Sequence, residues 1–199
     1  MKFTPTDLPG VMIVEPVVFG DERGWFYESF NEPKFQAGLH ELGQPKPRPF
    51  VQDNHSKSAA GVLRGLHYQL PPHAQGKLVR VVRGRVWDVA VDIRAGSPSF
   101  GCWAGVELSE ANHRQLWIPE GFAHGFLSLE DGTELLYKTT DVYAKDCEQA
   151  IRWDDPELGI AWPLGGGQPT LAPKDAAAPS LARAQHTRAV LVRGSFDRA

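Results

Sequence analysis

The feature that most limits what this chain can become is the interruption of its apolar stretches at short intervals. Twenty glycines and 16 prolines are scattered through 199 residues in small clusters between alternating segments, rather than gathered in one linker. Such spacing predicts many short β-strands joined by tight turns. The clearest strand covers residues 86–94, where Trp87, Val89, Val91 and Ile93 share one parity and Asp88, Ala90, Asp92 and Arg94 the other. Alternate side chains of a strand point to opposite faces, so one face belongs to the core and the other is mostly polar. Residues 78–82 precede it across Arg83-Gly84-Arg85, whose glycine suits the tight reversal of a hairpin.

Further strands are expected at 11–19, 25–30, 102–108, 115–118, 125–129 and 134–140, with the turn signal Asp131-Gly132 between the last two. Helical signals are sparse. Asn31 can cap a short helix through Phe35 and Leu39 with Gly38 near its end, and Ser109 can cap a brief turn through His113. Many short strands without intervening helical periods predict an all-β antiparallel sandwich or barrel in preference to a parallel α/β sheet.

The remaining composition narrows the function classes. With 42% hydrophobic and 23% charged residues the chain reads as globular, which excludes chain-wide disorder, collagen-like repetition and coiled coil. Its length suits a single domain, assigned to residues 1–181, followed by an extension at 182–199. Arg183, Arg188, Arg193 and Arg198 mark that tail as basic, and it is expected to be mobile or packed on a partner. Twenty-one basic against 24 acidic residues leave no global electrostatic case for nucleic-acid binding, so any anion site must be local. Two cysteines make neither a disulfide framework nor a repeated C-x-x-C pattern and read as reduced thiols. The opening residues lack an apolar signal region, and no run of about 20 apolar residues occurs. The expectation is a cytoplasmic protein without membrane contact.

Two segments carry chemistry. Leu63-Arg64-Gly65-Leu66-His67-Tyr68-Gln69 sets a cation and an imidazole three residues apart, and Pro119-Glu120-Gly121-Phe122-Ala123-His124-Gly125-Phe126 uses proline and glycine to deliver His124 onto a strand. This P-x-G-x-x-H pattern resembles the second signature box of the cupins. The resemblance implies a cupin-type antiparallel jelly-roll barrel with a few short accessory helices. Metal-binding cupins carry an H-x-H pair in their first box, where this chain reads His67-Tyr68-Gln69, one imidazole short. We therefore expect no metal and no other cofactor, with acid–base chemistry done by side chains. A metal-dependent oxygenase or isomerase built on His67, His73 and His124 is the rival enzyme class, and a catalytically silent binding module the third reading.

The resemblance then becomes closer than fold. Asp21-Glu22-Arg23-Gly24-Trp25-Phe26, Gln52-Asp53-Asn54-His55-Ser56, the two segments above, Gln75-Gly76-Lys77-Leu78-Val79-Arg80-Val81, Tyr137-Lys138-Thr139-Thr140 and Lys174-Asp175 occur in this order. This set resembles the dTDP-4-dehydrorhamnose 3,5-epimerase family. What the resemblance implies is an isomerase acting on dTDP-4-keto-6-deoxyglucose by proton exchange at C3 and C5. A single-carbon epimerase is the near alternative. It assigns the base to His67 with Asp175 as carboxylate partner, the acid to Tyr137, and donors toward the developing enolate oxygen to Lys77 and His124. It assigns Arg23, Arg64 and Lys174 to the anionic nucleotide and Tyr143 to stacking on thymine. Glu28, Gln52, Asn54 and Glu148 become further polar contacts. It also implies a homodimer in which the N-terminal strand region, with Arg23 and Glu28, reaches the neighbour's site.

Overall fold

Proline and glycine cut the chain into the short strands expected. The computed structural model describes residues 1–188. Its strands are β1 (Lys2–Pro5), β2 (Met12–Glu15), β3 (Val18–Asp21), β4 (Gly24–Tyr27), β5 (Gln52–Ser58), β6 (Leu63–Gln69), β7 (Lys77–Arg83), β8 (Arg85–Asp92), β9 (Arg94–Ala95), β10 (Trp103–Ser109), β11 (Gln115–Ile118), β12 (Phe122–Ser128), β13 (Thr133–Thr139), β14 (Glu148–Ala150) and β15 (Thr187–Arg188). Helix α1 (Glu32–Glu41) follows β4, and the single-turn α2 (Pro173–Ala176) follows β14. Pro16 lies in the gap between β2 and β3, so the single strand expected at 11–19 is two. Proline has no N–H to offer a ladder.

Two antiparallel sheets face each other in the cupin-type jelly roll. One has the order β1-β2-β11-β7-β13-β5, the other β10-β8-β12-β6-β14. Between them Val79, Val81, Leu116 and Leu135 of the first sheet meet Val86, Leu108, Phe122 and Phe126 of the second in one buried cluster. The polar face of β8 is not turned to water: Asp88, Ala90 and Asp92 are fully buried on one side while Val89 and Val91 are covered by Ile151, Leu158 and Leu181 on the other. A strand buried on both faces must pair its polar groups internally.

The hairpin expected around Gly84 does not form. β7 pairs with β11 and β13, whereas β8 pairs with β10 and β12 in the opposite sheet. Gly84, with φ of 75°, turns a corner between sheets, and a Cβ there would lie 2.5 Å from the Thr133 hydroxyl. Asp131-Gly132 likewise joins β12 to β13 across the sheets. Local turn chemistry is the same for both topologies, and only the wider pairing separates them.

Helix α1 is capped as expected, with the Asn31 side chain accepting from the Lys34 N–H at 3.2 Å. Gly38 does not end it. The Phe3 ring packs where a Cβ would stand, 2.1 Å away, and Gly43, with φ of 68°, takes the chain out of the last turn. The apolar side of α1, Phe35 and Leu39, covers the outer face of the six-stranded sheet against Met12, Leu78 and Trp117.

Beyond β14 the chain runs back along the barrel. Leu63 N–H donates to Thr170 O at 3.0 Å, Arg152 N–H to Pro179 O at 2.9 Å and Leu181 N–H to the Asp155 carboxylate at 2.8 Å. The start of the extension continues this contact: the Tyr68 hydroxyl donates to Gln185 O at 2.6 Å and β15 pairs parallel to β9. Arg193 and Arg198 of the basic tail lie outside the described residues. Cys102 and Cys147 are both free thiols. Among the described residues no helix is long and apolar enough to cross a membrane.

Candidate active site

Side chains from both sheets converge on a cavity of about 300 Å³. β5 supplies Gln52, Asn54 and Ser56, although its sequence QDNHSKS contains no apolar residue. It is a strand because its backbone pairs with β13 from Gln52↔Thr139 to Ser58↔Thr133. β6 supplies Arg64, His67, Tyr68 and Gln69, β7 Lys77, β12 His124 and Phe126, and β13 Tyr137. Tyr143 and Glu148 come from the segment after β13, and Lys174 and Asp175 from α2.

The His67 Nε2 lies 2.6 Å from Asp175 Oδ1. Asp175 is only 2% exposed and also accepts the Gly65 N–H at 3.4 Å. Burial pushes its carboxyl up, but the hydrogen bond and charge of His67 outweigh this, and the group lies below the usual carboxylate range. An ionised carboxylate can only accept, so Nε2 carries the proton and the lone pair of the neutral ring sits on Nδ1. Nδ1 makes no hydrogen bond among the described residues.

A second imidazole–carboxylate pair lies deeper. His124, opposite His67 on the neighbouring strand, places Nε2 3.0 Å from both oxygens of Asp88. Burial holds the His124 ring below its ordinary value against the pull of Asp88. Close by, the Lys77 ammonium donates to His67 O at 3.2 Å. Burial lowers Lys77 to about 8, with Asp88 and Glu148 opposing. The Tyr137 phenol is raised by burial, which Arg64 and Lys174 partly offset, so it stays protonated at neutral pH.

At the mouth the groups are charged. Lys174 and the Tyr143 hydroxyl both bond Glu148, at 2.8 and 2.9 Å. Burial raises the Glu148 carboxyl, but Lys174 and Tyr143 hold it lower overall. Arg64 donates to Ser58 Oγ at 3.1 Å and to Lys57 O at 3.2 Å. Gln52 donates to Asn54 Oδ1 at 2.9 Å.

Eleven of the thirteen residues singled out from the sequence line this cavity; Arg23 and Glu28 do not. Arg23 sits on the β3–β4 ribbon and bonds Asp21, while Glu28 bonds Lys34 at 2.8 Å and Asn31 at 3.1 Å. The three-histidine alternative is not assembled either, since His73 lies outside the lining and faces Asp141 at 3.4 Å. Among the described residues no group of three His, Cys, Asp or Glu side chains could hold a metal ion. Sequence reasoning passed over Asp88, Ser56, Gln75 and Phe126, and gave no role to Gln69. For Asp88 a signal existed, an acid on the polar parity of the clearest strand. For Ser56 there was none, because β5 has no apolar alternation.

Comparison with known proteins agrees with this architecture. The family model described as dTDP-4-dehydrorhamnose 3,5-epimerase matches residues 5–183. A Shigella flexneri protein of that name is 57% identical over 175 residues, covering 88% of this chain and 93% of its own. One from Pseudomonas aeruginosa is 55% identical over 175 residues, covering 88% and 93%. The crystal structure of a Legionella pneumophila dTDP-6-deoxy-D-glucose-3,5-epimerase in complex with dTDP-4-keto-L-rhamnose has a TM-score of 0.88 at 49% identity, covering 95% of this chain and 98% of that one. Matched along nearly its whole length in sequence, and in fold by a solved epimerase, this chain belongs to the dTDP-4-dehydrorhamnose 3,5-epimerase family.

Proposed function

We propose that the protein is a 3,5-epimerase that converts dTDP-4-keto-6-deoxyglucose to dTDP-4-keto-L-rhamnose by exchanging the protons at C3 and C5. The observation that carries the reading is the carboxylate-backed imidazole, His67–Asp175 at 2.6 Å, lining one cavity with the half-buried phenol of Tyr137. Both carbons flank the C4 ketone, so loss of either proton leaves charge that spreads onto the ketone oxygen. His67 Nδ1 accepts the proton, and Asp175 stabilises the resulting imidazolium. Tyr137 gives a proton to the other face of the carbon and recovers one from solvent, to which His67 releases the proton it took. The sequence of steps is redox-neutral and needs no hydride carrier.

The Lys77 ammonium serves the enolate oxygen, where a preorganised donor contributes roughly 3 kcal/mol to lowering the barrier. His124, tied to Asp88, lines the same floor. Arg64 and Lys174 meet the diphosphate, the Tyr143 ring stacks on the pyrimidine, and Gln52, Asn54 and Glu148 bond the remaining polar groups. The proposed setting is a cytoplasmic homodimer. Phe19, Trp25 and Phe26 of the β3–β4 ribbon are 64%, 63% and 70% exposed, an apolar surface suited to a second copy of the chain. Docked there, the ribbon carries Arg23 and Glu28 toward the neighbour's cavity.

A single-carbon epimerase is the second reading. A Streptomyces bikiniensis 3'-monoepimerase, solved in complex with dTDP-quinovose, has a TM-score of 0.80 to this chain at 37% identity. The experiment that decides is incubation with dTDP-4-keto-6-deoxyglucose in deuterium oxide. Label at both C3 and C5 is the expected result. Label at one carbon establishes the second reading, and label at neither removes both.

A further inference from the structure

We infer that Gln69 is a positioning residue that builds the nucleotide platform: it holds the backbone on both sides of Tyr143 and ties that loop to the strand bearing His67. The inference rests on the proposed role of Tyr143. Gln69 is the last residue of β6, two positions beyond His67, and is 5% exposed. A buried primary amide must satisfy two donor hydrogens and an acceptor oxygen, or pay for leaving them unmade. Gln69 satisfies all three with main-chain groups. Its Nε2 donates to Val142 O at 3.1 Å and to His73 O at 2.6 Å, and its Oε1 accepts the Ala144 N–H at 2.8 Å.

Val142 and Ala144 are the two neighbours of Tyr143, whose own N–H donates to Gln52 Oε1 at 2.9 Å. Gln52 lies on an edge strand of the six-stranded sheet and Gln69 in the five-stranded sheet. Residues 141–144 therefore cross between the two sheets, fastened to each by one glutamine. The ring of Tyr143 has no comparable hold. It is 54% exposed, and its hydroxyl bonds only Glu148 among the described residues. Its position is therefore set by the main chain beneath it and by that one bond at the tip of the ring. No other side-chain type of this length offers a donor pair and an acceptor together: methionine fills the space without bonds, and glutamate turns an anion toward two carbonyl oxygens.

The test is a double-mutant cycle on the full chain, with dTDP as the titrated ligand. Gln69→Met should weaken dTDP binding roughly tenfold, the scale of losing one or two anchoring hydrogen bonds, with Gln69→Glu weaker still. KM for the sugar nucleotide should rise by more than kcat falls. Combined with Tyr143→Ala, Gln69→Met should add less than about a further twofold, because two residues acting through one ring are not additive. Effects that multiply, or a Gln69→Met protein that binds dTDP like the parent, overturn the inference while leaving Tyr143 as the platform. A Tyr143→Ala protein with unchanged dTDP affinity instead overturns the platform reading itself. Amide exchange in the unsubstituted protein tests the geometry even if the variants misfold. The Ala144 N–H should exchange far more slowly than an open loop amide, and exchange at the open-loop rate overturns the inference.

Discussion

The two imidazole–carboxylate pairs use the same chemistry in opposite surroundings. His67 meets Asp175 at 2.6 Å through one oxygen, across 108 residues of chain, and its side chain remains 25% exposed to the cavity. His124 straddles both oxygens of Asp88 at 3.0 Å from the adjacent strand β8, and its side chain is 8% exposed. A proton arriving on His67 is met by a carboxylate already held ionised. A proton arriving on His124 would have to be buried, with Lys77 and His67 opposing it. The first pair opens onto the cavity and the second is largely closed off from it. In the function proposed above, access and neighbouring charge, rather than residue type, separate the reacting histidine from the one that shapes the floor.

The sharpest way to break this contrast is to remove each ring's function in turn. His67→Asn should lower proton exchange at C3 and C5 by roughly 10³-fold or more while dTDP binding changes little. Exchange at the parental rate would exclude His67 as the base. Tyr137→Phe should cost roughly 10²-fold in epimerisation and less in exchange, since it removes reprotonation from the far face but not abstraction. Equal losses in both would reject its placement opposite His67.

Lys77 supplies a sign test. Its folded value of about 8 lies below the ordinary 10.5, so folding disfavours its charge, a cost of about 3 kcal/mol that is complete below about pH 8 and is relieved as pH rises toward 10.5. Activity runs the other way, because the proposed donor loses its charge above about pH 8. Lys77→Met should cost roughly 10²-fold in kcat, remove that alkaline fall, and unfold at higher denaturant than the parent at pH 7. A variant less stable than the parent at pH 7 would contradict the burial cost. The smallest effect belongs to the floor: Asp88→Asn should lower kcat only about tenfold, since a neutral His124 already bonds through Nε2 and an amide oxygen can still accept. A loss as large as that of His67→Asn would erase the distinction between the pairs.

Much of the fold was legible because its signals are local. Residues 115–118 read as a strand and are β11, Asn31 reads as a cap and is one, and the density of Gly and Pro pointed to short strands in an all-β barrel. Two kinds of feature were not. β5 has no apolar residue because its side chains face the cavity and solvent, so periodicity has nothing to register. The corner at Gly84 has the turn chemistry of a hairpin, and nothing near it reports that β7 and β8 pair in different sheets. Asp88 was visible as the polar parity of a strand. That this parity points into the barrel, against His124, depends on burial of both faces of β8.

Alternation and punctuation in the amino-acid order settled the all-β character and the approximate strand positions, since each arises from neighbours a few bonds apart, while the ordered motifs named the groups able to move protons only through their resemblance to a known family. Which of those groups meet was decided by tertiary structure alone. Asp175 reaches His67 only because Thr170, Pro179 and Leu181 fasten the returning chain to β6 and its surroundings. Arg23 and Glu28 lie outside the cavity, on and just after a two-stranded ribbon that joins neither sheet of the barrel. Contact between residues distant in sequence requires loop closure to be offset by many weak interactions at once, and no short stretch of sequence records that sum.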